Sequence, residues 1–329
     1  MLESRTSFAP TRRHFVLAAA LAAVAGPAVA QQNDGTPITI VVGYAAGNAA
    51  DVLARVVGAR LSQELNASVV VENRPGANAR IAIQALKNAP PDGKTMLFNT
   101  SSAMFLTPLI FKNLPYDVDK DFAPIANIGN NQIAMTVQAH APYKNLKEFA
   151  AWLKQHPEKA QFGNEGVGSP GHLMGLQLGI AAGVPMTFVP YKVGGQMLSD
   201  QISGQITSAT WALPSVYEQH KAGKLRIIGI AGPERSSIAP ELPTFKEQGF
   251  DVEIISSYGA YFRAGTPKPL VDRMSAALVA AIKDPAVQKR LRELGVDPTG
   301  YGTAEFEKII VDDRKRWRKM VDETHFSVE

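Results

Sequence analysis

Residues 36–51, TPITIVVGYAAGNAAD, place a strand, a short loop and a helix start in one stretch. The β-branched run at 38–42 is typical of a strand covered on both faces of a parallel sheet. The loop GYAAG follows, and Asn48 can cap a helix that carries Asp51 in its first turn. This junction directs backbone N–H groups and the positive end of a helix dipole at one point, which predicts a site for a carboxylate or phosphate. An ordinary strand-to-helix turn, in which Asp51 only complements the dipole, is the alternative.

A set of motifs in fixed order runs from about Pro37 to the C-terminus. After GYAAGNAAD come VVVENRPGANARIAIQAL, PPDGKTMLFNTSS, LPYDVDKDFAPIANI, GVGSPGHL, VPYKVGG, KAGKLR, LPTFKEQGF and AGTPKPLVDRM. This ordered set resembles the substrate-binding receptors of tripartite tricarboxylate transporters, the Bug family. The first loop of that family usually reads PFPPGGxxD, so Asn48 stands where the second glycine is usual, and a side chain there alters the loop's grip on a ligand.

The resemblance implies an α/β, two-lobed periplasmic binding protein fold of the type II-like kind. Two α/β domains would be joined by two crossover segments, with a ligand cleft between them. The predicted first domain is discontinuous and comprises residues 31–121 plus 250–329, and the second comprises residues 122–249. A chain of 329 residues is long enough for two such lobes.

Residues 1–30 have the pattern of an export signal. TRRHF at 11–15 is a basic start, the run at 15–24 is apolar, and Ala28-Val29-Ala30 is a cleavage pattern. The paired arginines favour a Tat-like signal peptide, with a Sec signal as the alternative. Cleavage after Ala30 would give a periplasmic protein, and no later apolar run is long enough to span a bilayer.

Charge and composition exclude several classes of function. Removing Arg5, Arg12, Arg13 and Glu3 with the signal lowers the formal charge from +4 to 4 − 3 + 1 = +2, too weak to predict nucleic-acid binding. The chain has no cysteine, which excludes disulfides, thiolate metal sites and a cysteine nucleophile. Its 6 histidines are scattered without a metal-binding motif, so we expect no metal and no cofactor.

The glycine-rich turn at 166–171 satisfies G-x-G-x-x-G, as a dinucleotide site would. The next strand, at 186–190, ends in Tyr191-Lys192 without the carboxylate that would hold a ribose, so we retain an anion site and reject the cofactor. A serine-nucleophile motif also fails, because Val167 occupies the first glycine position before Ser169. His172 is too close along the same turn to act as its base. We therefore predict no catalytic residue.

The resemblance implies that loops from both lobes hold one carboxylate through backbone N–H groups and bridging waters. Thr100, Ser101 and Ser102 follow the strand at 95–98, and their hydroxyls can donate hydrogen bonds to an anion without adding charge. Phe105 and Trp211 favour an aromatic or apolar acid if both face the cleft, although Trp211 could equally serve packing between lobes. Arg74 is expected to be structural and Lys192 solvated. The predicted ligand-binding residues are Tyr44, Ala45, Gly47, Asn48, Ala49, Asp51, Thr100, Ser101, Ser102, Phe105, Gly166, Gly168, Ser169, His172, Tyr191 and Trp211.

The sequence thus predicts a monomeric periplasmic receptor that captures a small organic carboxylate, aromatic acids included, without catalysis. Its partners would be this ligand and the membrane permease subunits of a tripartite tricarboxylate-type transporter. An exported sensor that signals to a membrane kinase is the alternative. A periplasmic hydrolase or an NAD-binding enzyme is less favoured.

Overall fold

A computed structural model describes residues 35–327 of the chain, and its strands there form two sheets. The predicted signal peptide, residues 1–30, and its cleavage after Ala30 lie outside the described residues. Residues from Pro37 onward pack as one compact unit.

The strands were largely expected from β-branched and apolar runs, and β1 coincides with the run at 38–42. In chain order they are β1 (Ile38–Val42), β2 (Val69–Asn73), β3 (Thr95–Thr100), β4 (Phe122–Asn131), β5 (Ile133–Gln138), β6 (Gln161–Asn164), β7 (Thr187–Pro190), β8 (Ser208–Ala212), β9 (Leu225–Ile230), β10 (Ser256–Arg263) and β11 (Asp297–Tyr301).

The helices carry the apolar spacing that buries one face of each. They are α1 (Ala49–Leu65), α2 (Arg80–Lys87), α3 (Thr107–Ile110), α4 (Val118–Asp121), α5 (Leu146–Gln155), α6 (Pro170–Ala182), α7 (Gly194–Ser203), α8 (Leu213–Lys221), α9 (Lys268–Lys283), α10 (Pro285–Glu293) and α11 (Thr303–Thr324). A π-helix (Ser102–Leu106) precedes α3, and 3₁₀ turns lie at Pro157–Lys159 and Lys246–Gln248.

The two sheets define two lobes. The first lobe contains the sheet β11-β4-β10-β3-β1-β2, in which β1 is parallel to both β2 and β3. The second contains β7-β6-β8-β5-β9, in which β6 is parallel to both β7 and β8. In each lobe, loops that follow parallel strands therefore meet at the same edge of the sheet. This topology confirms the predicted α/β class and the parallel setting of β1.

Three hydrophobic clusters lie between the sheets and the helices that pack on them. One packs α1, α9 and α10 on the outer face of the first sheet, and another packs α7 and α8 on the second. The largest contains residues of both lobes, from β1 and α2 to α6 and α11. Helix α11 belongs to this shared core, where Trp317 is 2% exposed. Its Glu323 accepts a hydrogen bond from Gln177 of α6 at 2.6 Å.

The chain passes between the sheets at positions that differ from the predicted domain limits. Residues 122–131 fall within the predicted second domain, yet as β4 they pair antiparallel with β10 and β11 of the first sheet. The first passage therefore lies at Gln132, between β4 and β5, and the return lies between β9 and β10. Within residues 35–327, no helix combines the length and apolar character needed to cross a membrane.

Candidate functional site: a cavity between the loops of two sheets

A cavity of about 240 Å³ lies where loops of the two lobes meet. One wall comes from the loop after β1, the turn before α2 and the segment after β3. The other comes from the turn between β6 and α6. Its lining residues are Tyr44, Asn78, Ser102, Ala103, Leu106, Thr107, Ile110, Gly166, Val167, Gly168, Ser169 and Pro170.

Three hydroxyls form a hydrogen-bonded chain on the first-lobe wall. The Tyr44 hydroxyl lies 2.8 Å from Thr100 Oγ1, which lies 3.1 Å from Ser102 Oγ. Burial raises the pKa of Tyr44, so its hydroxyl is neutral near pH 7. Two hydrogen bonds among three hydroxyls use two of their three hydrogens, and one O–H is always left to donate. Such a group offers a carboxylate a donor without a fixed charge.

The first loop is held from behind by a buried carboxylate. Asp51 is 3% exposed, and it accepts hydrogen bonds from the Gly47 N–H at 2.8 Å and from Asn73 Nδ2 at 2.9 Å. Asn73 also donates to the Tyr44 carbonyl at 3.1 Å, and Arg55 pairs with Asp51 at 2.9 Å. Burial alone would raise the pKa of Asp51, but these hydrogen bonds and the nearby guanidinium outweigh it and lower the pKa.

The second-lobe turn is held by the corresponding amide at the end of β6. Asn164 Oδ1 accepts from the Gly166 N–H at 2.8 Å and from Ser169 Oγ at 2.7 Å, while its Nδ2 donates to the Thr210 carbonyl. Ser169 also caps α6 by accepting the His172 N–H at 3.2 Å. The first N–H groups of an α-helix have no partner within the helix, and the positive end of its dipole lies there. Ser169 and Pro170 therefore place the positive end of the α6 dipole on the cavity wall, although Pro170 has no N–H and the Ser169 and His172 N–H groups bond the Gly166 carbonyl and Ser169 Oγ.

His172 supports this turn and carries no charge at neutral pH. It is 4% exposed, its Nδ1 accepts the Gly168 N–H at 3.0 Å, and its ring stacks on Phe188 at 3.8 Å between centroids. Burial lowers its pKa to about 4. It is absent from the cavity lining, so it positions the turn from behind. Ser169 bonds Asn164 rather than the His172 ring, so the two side chains do not form a nucleophile and base pair.

The turn before α2 is backbone-strained. Ala77, Asn78 and Ala79 all have positive φ angles, of 48°, 54° and 65°. Residues other than glycine are destabilised in this conformation, because their β-carbon approaches the backbone too closely. A β-carbon at Gly43 would lie 2.3 Å from that of Ala79, so glycine at 43 is what allows β1 and this turn to approach. The strained turn thereby brings Asn78 to the cavity.

Ala77→Gly is expected to raise the free energy of unfolding by about 1 kcal/mol, because glycine adopts the left-handed conformation without the penalty of a β-carbon. The matched control is Ala85→Gly within α2, which should lower it by about 1 kcal/mol. Urea unfolding of the two variants measures both. Equal destabilisation by both substitutions would contradict the strain assigned to residue 77.

The structure places the residues predicted from sequence at several different positions. Tyr44, Ser102, Gly166, Gly168 and Ser169 line the cavity, and Thr100 bonds two of them. The remaining first-loop residues are exposed and outside the lining, as are those that cap and begin α1. These residues are Ala45, Gly47, Asn48 and Ala49, with the Asn48 side chain accepting the Ala50 N–H.

Other predicted residues have partners away from the cavity. Ser101 is fully buried and accepts the Ser257 N–H. Trp211 donates to Gln201, and the Tyr191 hydroxyl donates to Asp200. Both aromatic rings belong to the cluster on the outer face of the second sheet. Strand alternation explains Trp211, because its neighbour Thr210 faces the start of α6.

Phe105 faces a different cavity, of about 360 Å³, under α11. Its ring packs edge-on against Tyr261, and the Arg314 guanidinium lies 5.2 Å from its centroid. A larger groove of about 900 Å³ lies between α9 and α11, with Lys268, Asp272 and Glu305 along it. Both lie outside the meeting point of the two sheets' loops, so we favour the smaller cavity as the ligand site despite its volume.

Sequence reasoning missed the apolar part of the lining. Leu106 and Ile110 come from the segment after β3, which carries no ligand motif of its own. Their helical spacing was the available signal, but it is equally typical of core packing. Residues 35–327 contain no group of three or more histidine, aspartate or glutamate side chains arranged to hold a metal.

Comparison with known proteins covers most of the chain. Residues 53–326 match the family model described as tripartite tricarboxylate transporter family receptor. A UPF0065 protein of Bordetella bronchiseptica is 31% identical over 310 residues, 94% of this chain and 92% of its own. The solved structure of Rpa4515 with adipate, from Rhodopseudomonas palustris, has a TM-score of 0.76 at 27% identity and covers 89% of this chain and 98% of its own. MatC from the same organism, with bound malate, has a TM-score of 0.71 at 27% identity and covers 87% and 98%.

Proposed function

Because the chain belongs to the tripartite tricarboxylate transporter receptor family, we propose that it captures a small carboxylate in the cavity between its loops and delivers it to membrane permease subunits. The family is one of periplasmic solute-binding receptors, and the predicted two-lobed periplasmic binding protein fold is confirmed. We further propose that this chain is exported by the signal at residues 1–30, acts as a monomer and binds without catalysis.

The observation that carries the proposal is the pairing of an uncharged hydroxyl donor with a helix N-terminus across one cavity. The hydroxyl chain that ends at Ser102 lies on one wall, and the start of α6 lies on the other. A carboxylate can accept a hydrogen bond from the hydroxyl chain while the positive end of the α6 dipole stabilises its negative charge. Binding would then favour contact between the lobes. Gly168 already lies close to Ile110, since a β-carbon there would be 3.0 Å from the Ile110 side chain.

Two neighbours in the fold were solved with adipate and malate, which are small carboxylates. Those ligands support the same chemical class for this chain. The hydrolase alternative has less support. A nucleophile would need a base bonded to Ser169, and that hydroxyl donates to Asn164 instead.

Isothermal titration of the chain from Gln31 onward against small carboxylates, their amides and NAD tests the proposal. We expect carboxylates to bind and the matched amides and NAD to fail. Ser102→Ala should weaken carboxylate binding about tenfold, because a hydrogen bond to a charged group contributes about 1.5 kcal/mol. Ser203→Ala is the control, since that exposed hydroxyl bonds the Asp200 carbonyl of its own helix and does not line the cavity. Binding of the amides as tightly as the acids would contradict the proposal.

Delivery to a permease is tested separately in cells. Deleting the gene for this chain should abolish uptake of the acid identified by titration at low external concentration, and the intact gene should restore it. A sensor would instead leave uptake by its transporter intact when that transporter is expressed from an unregulated promoter.

A further inference from the structure

The cavity contains polar groups but no charged side chain. Its polar members are hydroxyls and one amide, at Tyr44, Asn78, Ser102, Thr107 and Ser169. The other lining residues are glycine or apolar: Ala103, Leu106, Ile110, Gly166, Val167, Gly168 and Pro170. The donors are therefore sufficient for one carboxylate but include no cation for a second.

The cations near the lining in sequence have other positions, and Lys112, two residues after Ile110, lines the cavity under α11. Arg80 lies over the Phe111 ring, 4.5 Å from its centroid, and donates to the Ala77 carbonyl. Arg74 is paired with Glu72 at 2.7 Å. Lys192 is exposed and absent from the lining. A second carboxylate directed at the apolar lining around Leu106 and Ile110 would lose water without gaining a hydrogen-bond donor or a cation there, which is costly.

One wall of the cavity is instead prepared for an apolar group. Leu106 and Ile110 are 1% and 4% exposed and offer their side chains from the first lobe. Opposite them, Val167 is 58% exposed at the tip of the second-lobe turn. Apolar surface at the mouth of a polar site is stabilised when a ligand covers it. An alkyl chain that extends from the bound carboxylate would do so.

We propose that this receptor selects monocarboxylates with a short apolar body over dicarboxylates of the same length. This inference depends on the proposed function, because it assigns the ligand class of the same site. The cavity volume of about 240 Å³ lies below the range of about 300–1,000 Å³ for drug-sized ligands, so a small acid is indicated. The proposed class differs from the dicarboxylates seen in the two structural neighbours.

Titration with length-matched pairs tests the inference directly. Hexanoate is compared with adipate, and pentanoate with glutarate, using the chain from Gln31 onward at neutral pH. We expect each monocarboxylate to bind at least about tenfold more tightly than its dicarboxylate. Within the monocarboxylates, affinity should rise about fourfold per added methylene until the cavity is filled.

A pair of matched variants locates the effect. Val167→Lys places a cation on the exposed apolar tip, and it should weaken hexanoate and strengthen adipate by about fivefold or more each. Val193→Lys is the control, because that valine is similarly exposed, at 60%, but does not line the cavity. Both side chains are exposed, so neither change removes a core contact.

The outcomes separate the two proposals. Tighter binding of the monocarboxylates, reversed by Val167→Lys alone, supports the inference. Equal or tighter binding of adipate and glutarate by the unaltered chain overturns it while the carboxylate receptor stands. If neither series binds but another small carboxylate does, the inference fails while the receptor stands. If no small carboxylate binds, the proposed function fails and the inference fails with it.

Discussion

Asp51→Ala is expected to lower the free energy of unfolding by about 3 kcal/mol and to weaken ligand binding at the same time. The carboxylate is buried and bonds Gly47, Asn73 and Arg55, so its removal leaves the first two donors without their partner. Hydrogen bonds to charged groups contribute about 1.5–3 kcal/mol each, and part of this loss is recovered where water replaces the carboxylate. Because Asn73 also holds the Tyr44 carbonyl, the loop at the cavity should loosen.

Arg55→Ala is the matched control for this effect. Its side chain is 52% exposed, so solvent screens its ion pair and the expected loss is below about 1 kcal/mol. Urea unfolding at pH 7 and titration of the identified ligand measure stability and affinity separately. Because the pKa of Asp51 is lowered in the folded protein, its contribution is present above its ordinary pKa and is lost as the pH falls through the folded value. A change in affinity without a change in stability would contradict a supporting role.

Asp313→Asn is expected to stabilise the protein at neutral pH. Asp313 lies on α11 and is 1% exposed, and among the described residues its Oδ2 has no hydrogen-bond partner. Burial raises its pKa to about 6, although the Arg316 guanidinium opposes the shift and Glu253 lies nearby. The folded protein therefore pays to ionise this group, and a neutral asparagine of the same shape removes that cost.

The pH dependence has a definite sign. A raised folded pKa means that the contribution of Asp313 is fully present below the unfolded value of 3.8 and is lost as the pH rises through about 6. At about 1.4 kcal/mol per pKa unit, the stability of Asp313→Asn relative to the unaltered chain should increase by about 2 kcal/mol between pH 4 and pH 8.

Asp312→Asn controls for the loss of one charge on the same helix. Its side chain is 64% exposed, and it pairs with Lys315 at 3.7 Å. Chemical unfolding at pH 4, 6 and 8 measures all three proteins, and the Asp312 variant should follow the unaltered chain within about 0.5 kcal/mol. A pH-independent difference between Asp313→Asn and the unaltered chain would show that the buried carboxyl titrates normally.

The helices and strands were easiest to predict from sequence where apolar periodicity and capping residues indicate the same limits. Apolar residues at helical spacing predict helices over 146–155 and 303–324, and α5 and α11 occupy those residues. Strand β11, in contrast, contains Pro298 and Gly300, which weaken any strand signal, and it exists because it pairs with the edge of β4. Tertiary pairing of this kind leaves no local trace. Pairing partners are not visible in the local sequence of β4 either, so the predicted second domain included residues 122–131, which pair within the first sheet.

The ligand site could be predicted from sequence where its residues are neighbours in the chain. A strand followed by small residues and a cap predicts a donor-rich loop, and the loops at 44 and 166–170 do line one cavity. The direction of a lone aromatic side chain is not local. Trp211 and Phe105 were candidate ligand contacts on the condition that they face the cleft, with packing as an equal alternative for Trp211; the first lies on the outer face of its sheet and the second lies under α11. The supporting amides Asn73 and Asn164 show their roles only when the strands are in register.

The most direct test of the central claim is a crystal structure of the chain with the tightest-binding acid in a brominated form. Anomalous scattering then locates the ligand independently of the protein's phases. We predict one bromine site in the cavity between Leu106 and Val167, with the carboxylate between Ser102 and the start of α6. A bromine site in the groove between α9 and α11, or in the cavity under α11, with the predicted cavity empty, would contradict the account.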